Sequence, residues 1–296
     1  MSTPRDRRRQ IVGRYSNRER QCGLCGRLGF LTRTHVPPQC AGNTGSVKRF
    51  QLVSDPQNMM ESGRERIGGI HFFGLCRACN GLQSKWDPAY CTFAKSLWPF
   101  ALAGKIVIPS ARCEMPSERI QPGAIARGVM VSCFALNPNL RTTFPNLADE
   151  LHSEVGSIRL PHDTALYIGV ARGPQALVTG SISGFHMNQH LANGSPLETM
   201  CFAQIFFPPL AWQFASVSLS PLLEKEVWTD VSAWLLRDSK DIENLSGLLP
   251  ALPFVSHPSF GVDSAAFWSE VFHNDSCFIV KSDDAVLTIR AKLGYQ

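Results

Sequence analysis

Long apolar runs are missing from this chain. No stretch of 18 or more apolar residues occurs, which excludes an ordinary membrane-spanning helix from expectation. The opening Met-Ser-Thr-Pro-Arg-Asp-Arg-Arg-Arg lacks the apolar segment of a secretory signal. A cytoplasmic protein, with its cysteines reduced, is therefore expected. Phosphate loops are missing too. Gly169-Val-Ala-Arg-Gly173 has neither the lysine nor the third glycine that phosphate binding wants. The second half shows no hydrolase, kinase or dinucleotide signature, and the chain has no internal repeats.

Apolar residues themselves are not scarce. They make up 44% of 296 residues, enough for a sizeable core in one large domain or two ordinary ones. Charge is unevenly spread. Residues 1–100 hold 16 Lys/Arg against 6 Asp/Glu, whereas residues 101–296 hold 13 against 18. Much of the excess lies in the first twenty residues, where Arg5, Arg7, Arg8, Arg9, Arg14, Arg18 and Arg20 face only Asp6 and Glu19. Such an arm suits a polyanion such as nucleic acid, or is a solubilising tail.

The ten cysteines divide into two kinds. Cys22-Gly-Leu-Cys25 and Cys76-Arg-Ala-Cys79 are paired, and each two-residue gap lets both thiolates point at one ion. Together they could supply a tetrahedral zinc site, closed across 50 intervening residues at a cost that rises only slowly with loop length. Cys40, Cys91, Cys113, Cys133, Cys201 and Cys277 stand singly, and the plain reading is buried free thiols. Between the knuckles His35, in Leu31-Thr-Arg-Thr-His-Val-Pro-Pro38, is a histidine the metal does not need.

Organisation follows from turn and periodicity signals. Residues 1–19 read as a basic arm and 20–100 as the metal module, with a polar loop over 43–70 and a helix from Asn80 to Leu97 that Pro88 interrupts. Ile106–Pro109 reads as a short strand. A linker is expected over 101–122, then an α+β domain with antiparallel strands over 123–296. There, helices are expected over 124–136, 147–155 and 227–236. Strands are expected over 165–171, 176–182, 200–207 and 212–219, and a hairpin over 277–290. The aromatics Phe202, Phe206, Phe207, Trp212 and Phe214 around Pro208-Pro209 read as core. If exposed, they would be a surface for a protein partner or a second copy. His186 and His190 are spaced for one helix face but have no third ligand near.

The string Cys22-x-x-Cys25, Thr34-His35-Val36-Pro37-Pro38 and Leu75-Cys76-x-x-Cys79-Asn80, with Lys85 behind it, resembles the cysteine-bearing branch of the HNH endonucleases. The resemblance covers residues 20–95. It implies a small treble-clef or ββα-metal module with structural zinc on Cys22, Cys25, Cys76 and Cys79. It also implies metal-dependent hydrolysis of phosphodiester bonds in nucleic acid, DNA first, with Mg²⁺ or Mn²⁺ as catalytic cation. His35 falls at the general base and Asn80 where the family often has a second histidine. Arg33, Arg77 and Lys85 are phosphate-contact candidates. Thr34 stands where the family often has a metal-binding Asp or His, and His71 where it has an asparagine that orients the base. Asp55 or Glu61 could supply a carboxylate.

Plainer roles stand beside these. His35 could pack on the zinc site or replace a cysteine ligand, His71 beside Phe72-Phe73 could be structural, and Asn80 could cap the helix. The three basic residues could be solvated. The alternative function is an inactive zinc-knuckle protein that binds nucleic acid or another protein.

Overall fold

The computed structural model describes residues 15–51, 61–102, 112–171, 176–183, 200–216, 228–255 and 278–279. The chain opens with strand β1 (Tyr15–Gln21), the first knuckle, and strand β2 (Leu28–His35). A 3-10 turn at Gln39–Ala41 leads to β3 (Ser46–Gln51) and β4 (Glu61–Ile67), and β5 (His71–Leu75) follows. The second knuckle then runs into helix α1 (Arg77–Leu102). β1, β2 and β5 form a three-stranded antiparallel sheet in that order, and its register sets His35 directly opposite His71.

Two expectations are corrected here. The segment 43–70 is not simply a loop, because β3 and β4 within it pair with each other. α1 starts three residues before Asn80 and runs through both Pro88 and Pro99. Each proline removes one backbone hydrogen bond. The buried stripe Leu82, Trp86, Tyr90, Phe93 and Leu97 nevertheless continues at helical spacing across Pro88, and its packing offsets the loss.

Short strands β6 (Arg112–Glu114) and β7 (Arg119–Ile120) precede helix α2 (Pro122–Leu136). Pro122 opens α2 at a position where its missing N–H costs nothing, and Asn137, in an extended conformation, closes it. Every residue of α2 is buried, including Arg127. α2 packs against α1, with Gly128 facing Trp86. Arg127 spends its guanidinium on four carbonyls: Nη1 donates to Gly123 O (3.0 Å) and Arg237 O (2.7 Å), and Nη2 to Val155 O (2.9 Å) and Gly156 O (2.5 Å).

Helices α3 (Leu140–Thr143) and α4 (Pro145–His152) lead to the large sheet. Its strands are β8 (Thr164–Ala171), β9 (Leu177–Ser183), β10 (Met200–Phe207) and β11 (Leu210–Ser216), with the short β12 (Thr229–Asp230) on β8. β13 (Glu243–Asn244) pairs with β7, helix α5 (Leu245–Leu248) follows, and β14 (Ala251–Val255) runs parallel to β8. β15 (Phe278–Ile279) lies between β3 and β9. The ten-stranded order is β4-β3-β15-β9-β10-β11-β8-β14-β6, with β12 off the path. The molecule is thus mixed α+β with antiparallel sheets, as expected.

One hydrophobic core contains Leu31 and Leu75 from the first sheet, Phe93 from α1, Val129 from α2 and Trp212 from β11. It spans both sides of the segment read as a linker, whose described part supplies β6 and β7. Phe93, Trp212 and Trp234 meet edge to face at 5.9–6.3 Å. Phe206, Phe207, Trp212 and Phe214 are buried, which is the core reading.

The helix expected over 227–236 is corrected to β12 and a 3-10 turn at Ser232–Leu236. Val231 and the Asp230 carboxylate shape that turn, since Asp230 Oδ1 accepts from Ser232 N (2.8 Å) and Oγ (2.6 Å). Ile106–Pro109, Asp55, Arg172, His186, His190 and all but two residues of the 277–290 hairpin lie outside the described residues. No helix among the described residues is long and apolar enough to cross a membrane.

Candidate metal centre and the histidine pair beside it

Cys22 to Cys25 is a tight turn because Gly26 N donates to Cys22 O (2.9 Å) and Gly26 takes φ +72°, a conformation that favours glycine. Cys76 precedes α1 and Cys79 sits in its first turn, with Asn80 N bonded to Cys76 O (2.9 Å). The two knuckles are drawn together by Gly23 N donating to Gly74 O (2.8 Å). A Cβ on Gly23 or Gly74 would strike the carbonyl of Phe134 or Ala135, so both glycines let this corner sit on the end of α2.

The result is a compact sulfur cluster. The Sγ atoms of Cys22, Cys25, Cys76 and Cys79 all lie within 4.8 Å of one another, with Cys22 and Cys79 buried and the other two half-buried. Cys25 Sγ and Cys76 Sγ are 3.8 Å apart, and Cys76 N donates to Cys22 Sγ at 3.3 Å. Hydrogen bonding from Cys79 pulls the Cys22 thiol down to about 4, and the same contact pushes Cys79 up. Burial pushes Cys25 up. Four sulfurs this close cannot all be thiolates unless a cation shares their charge. They could hold a metal such as zinc, whose soft, tetrahedral preference matches the donor set.

The reading of all six single cysteines as free thiols is corrected at one pair. Cys40 and Cys91 form a disulfide, whereas Cys113 and Cys133 are buried thiols, as expected.

β2 leaves the first knuckle and carries His35 to its far end, and β5 enters with His71. Their ring centroids are 5.7 Å apart at 56°. Both rings are held by one turn. Gly68 and Gly69 take φ +100° and +83°, and their carbonyls accept from His35 Nε2 (3.1 Å) and His71 Nδ1 (3.0 Å). A carbonyl only accepts, so Nε2 of His35 carries the proton and Nδ1 keeps its lone pair. Burial, and then the Arg33 charge, push His35 below the usual histidine value, against the raising effect of the Gly68 bond.

Asn43 braces this turn. Its amide is 1% exposed and makes three bonds: Nδ2 to Pro37 O (2.6 Å) and Ile70 O (2.8 Å), and Oδ1 from Ile70 N (2.6 Å). It lashes the exit of β2 to the entrance of β5. A Cβ on Gly69 would collide with Asn43. Asn80 Nδ2 donates to Arg33 O (3.3 Å), and Gln83 Nε2 bridges His35 O (3.5 Å) and Ser132 Oγ (3.0 Å). Thus α1 grips the backbone of β2 from the side, and α2 supports it through Ser132.

The structure therefore brings together the four cysteines, and separately sets His35 against His71, while Asn80 holds the Arg33 backbone. Arg77 is exposed at the start of α1. Lys85 is engaged by Glu154 at 2.6 Å, both exposed, so a phosphate there would compete with a weak surface pair. Thr34 is wholly buried, and its Oγ1 finds no hydrogen-bond partner. Sequence reasoning misses Asn43, Gln83 and the Gly68-Gly69 turn. Gly-Gly before His71 is a legible turn signal, and Gln83 follows Asn80 by one helical turn. Nothing near Asn43 in sequence marks it. No family model, curated protein or solved structure matches the chain.

Proposed function

We propose that this chain is a metal-dependent endonuclease, with structural zinc on Cys22, Cys25, Cys76 and Cys79 and with His35 as general base. The observation that carries the reading is the tautomer. His35 ends the strand that leaves one knuckle, beside the helix that starts in the other, and its Nε2–H is spent on Gly68 O. Nδ1 is left as a lone pair to take a proton from water attacking phosphorus. Burial keeps the ring neutral near pH 7, the form a base requires.

His71 supports the His35 face, and Arg33, whose charge is felt by His35, would meet a phosphate oxygen there. Asn80 could hold Mg²⁺ or Mn²⁺ with water and substrate oxygens completing the shell, and such an ion would shield phosphoryl charge and the leaving 3′ oxygen. Nucleic acid, DNA first, is the partner in this reading. Cytoplasmic residence and self-association through the C-terminal part belong to it as well.

A second reading has its own support. Among the described residues the sole group of three or more His, Cys, Asp or Glu that could hold a metal is the cysteine cluster, and Thr34 is buried where a ligand would be wanted. A zinc scaffold that binds nucleic acid or protein without cutting fits those two facts.

Incubation of plasmid, single-stranded DNA and RNA with Mg²⁺, Mn²⁺ or Ni²⁺ separates the readings when run beside His35→Ala. Cutting that disappears in the variant, with zinc content unchanged, supports the nuclease. Absence of cutting throughout, or undiminished cutting by the variant, defeats it.

A further inference from the structure

We propose that the Cys40–Cys91 disulfide is a thiol-exchange site that clamps the segment behind His35 onto α1, and that a small dithiol opens it in the folded protein. The proposal stands on geometry alone and does not need the nuclease reading. Cys40 lies in the 3-10 turn Gln39–Ala41, five residues after His35, and Cys91 is a buried residue of α1. The two residues differ in access: Cys40 is exposed and Cys91 is 5% exposed.

Placement gives the bond a consequence. The segment 36–43 is tied at its far end by the three bonds of Asn43 and at its start by Val36 N to Ile70 O (3.1 Å). Between those ties the backbone bonds are local: Ala41 N to Pro38 O and Gly42 N to Gln39 O, each 3.0 Å, and Thr44 N to Gly42 O at 2.8 Å. The disulfide is thus its covalent tie to α1, the helix that also carries Asn80 and Gln83. The chemical setting argues for exchange over permanence. The four cysteines of the cluster are thiols, usable as metal ligands only while unoxidised. Where thiols persist, an accessible disulfide is a labile one.

The exchange balances as a two-electron step. One thiolate of the dithiol attacks Cys40 Sγ, on the exposed residue, and the S–S bond breaks with Cys91 leaving as thiolate. The second thiol of the dithiol then displaces Cys40. The reductant departs as a cyclic disulfide, and the protein gains two S–H groups.

The test uses the full chain with zinc present, before and after dithiothreitol. Three quantities are read together: alkylation of Cys40 and Cys91 by mass spectrometry, zinc content, and hydrogen exchange of residues 36–45. The expected result is no alkylation at either cysteine before reduction and full alkylation after it. Zinc should be retained, and exchange over 36–45 should quicken by about 10-fold or more as that segment opens locally. Cys40→Ser should show the faster exchange from the outset, with no further response to dithiol. Three outcomes overturn the proposal: Cys40 and Cys91 alkylating in unreduced protein, a bond that resists dithiol until the chain unfolds, or reduction that leaves exchange at 36–45 unchanged.

Discussion

Residues 15–80 and the sheet-bearing remainder are held together by different means. The first region is small, and specific polar and sulfur contacts hold it: four thiols in one cluster, three bonds from Asn43, and two histidines tied to one turn. The second buries an apolar helix on all sides between α1 and a broad sheet. Its buried charged group, Arg127, ties the loops at Val155-Gly156 and Arg237 to the helix. The lesson is that few-contact regions fail when a single contact goes, whereas burial fails gradually. The two meet along α1, whose first turn belongs to the cysteines and whose later turns belong to the core, and at the edge of the large sheet, where β3 pairs with β15.

Zinc removal should separate them most sharply. Apparent zinc-binding free energies in small thiolate modules are about 10–16 kcal/mol at neutral pH, large against the net stability of a domain. Chelation should therefore open residues 15–80 to protease and hydrogen exchange. The second half of α1, anchored by Phe93, Leu97 and Trp98, should stay protected together with α2. Uniform loss across both regions would mean that the shared core is a single cooperative unit. No change anywhere would mean that the cluster holds no structural ion.

Arg127→Ala should be the largest single-residue effect in the sheet-bearing part. It strands four carbonyls in a buried place, and a loss of about 3–5 kcal/mol is expected in denaturant melts. Burial works against the guanidinium charge, while Asp238 and Asp241 work for it. If Arg127→Met proves as stable as the native chain, the four bonds contribute nothing net.

Asn43→Ala should cost less overall, about 1–3 kcal/mol for the buried groups left unpaired. Its effect should be concentrated at the histidine pair. Nitrogen-detected spectra of His35 should change from a single Nε2–H tautomer to a mixture. An unaltered tautomer would show that Gly68 needs no brace.

The smallest effect is a pH dependence in which the two sides of α1 oppose each other. His35 has its proton affinity lowered by burial, so the unfolded chain binds that proton more tightly. Its contribution to stability is present above about 6.5 and is lost as pH falls through the folded value. Asp87 is pushed up to about 6 by burial, so its contribution is present at low pH and is lost as pH rises through 6. Asp87→Asn should therefore raise stability in denaturant melts at pH 7.5, by about 1 kcal/mol after solvent screening, and leave it unchanged at pH 3.5. A gain at both pH values would point to packing as its source.

Much of this architecture is legible in the sequence. The spacing of Cys22, Cys25, Cys76 and Cys79 announces the cluster, because a two-residue gap converges two thiols whatever surrounds them. The apolar stretch 124–136 announces α2, and short apolar runs bounded by turn residues announce β8 to β11. Other features lie beyond local reading. Val227–Leu236 carries helical spacing, yet a side-chain turn at Asp230 and the seat of Trp234 against Phe93 decide otherwise.

By itself, then, the sequence determined which residues could share an ion and which segments would be buried, and it left the part of His35 open between base, packing residue and ligand. Tertiary structure alone decided that Cys40 meets Cys91 across 51 residues, that Asn43 reaches Pro37 and Ile70 at once, and that the Gly68 carbonyl selects the tautomer of His35. The reason is physical. Spacing along a chain governs contacts within a few residues, where backbone geometry limits the choices. Contacts between distant segments are chosen by how completely the whole chain can bury its apolar surface and satisfy its polar groups.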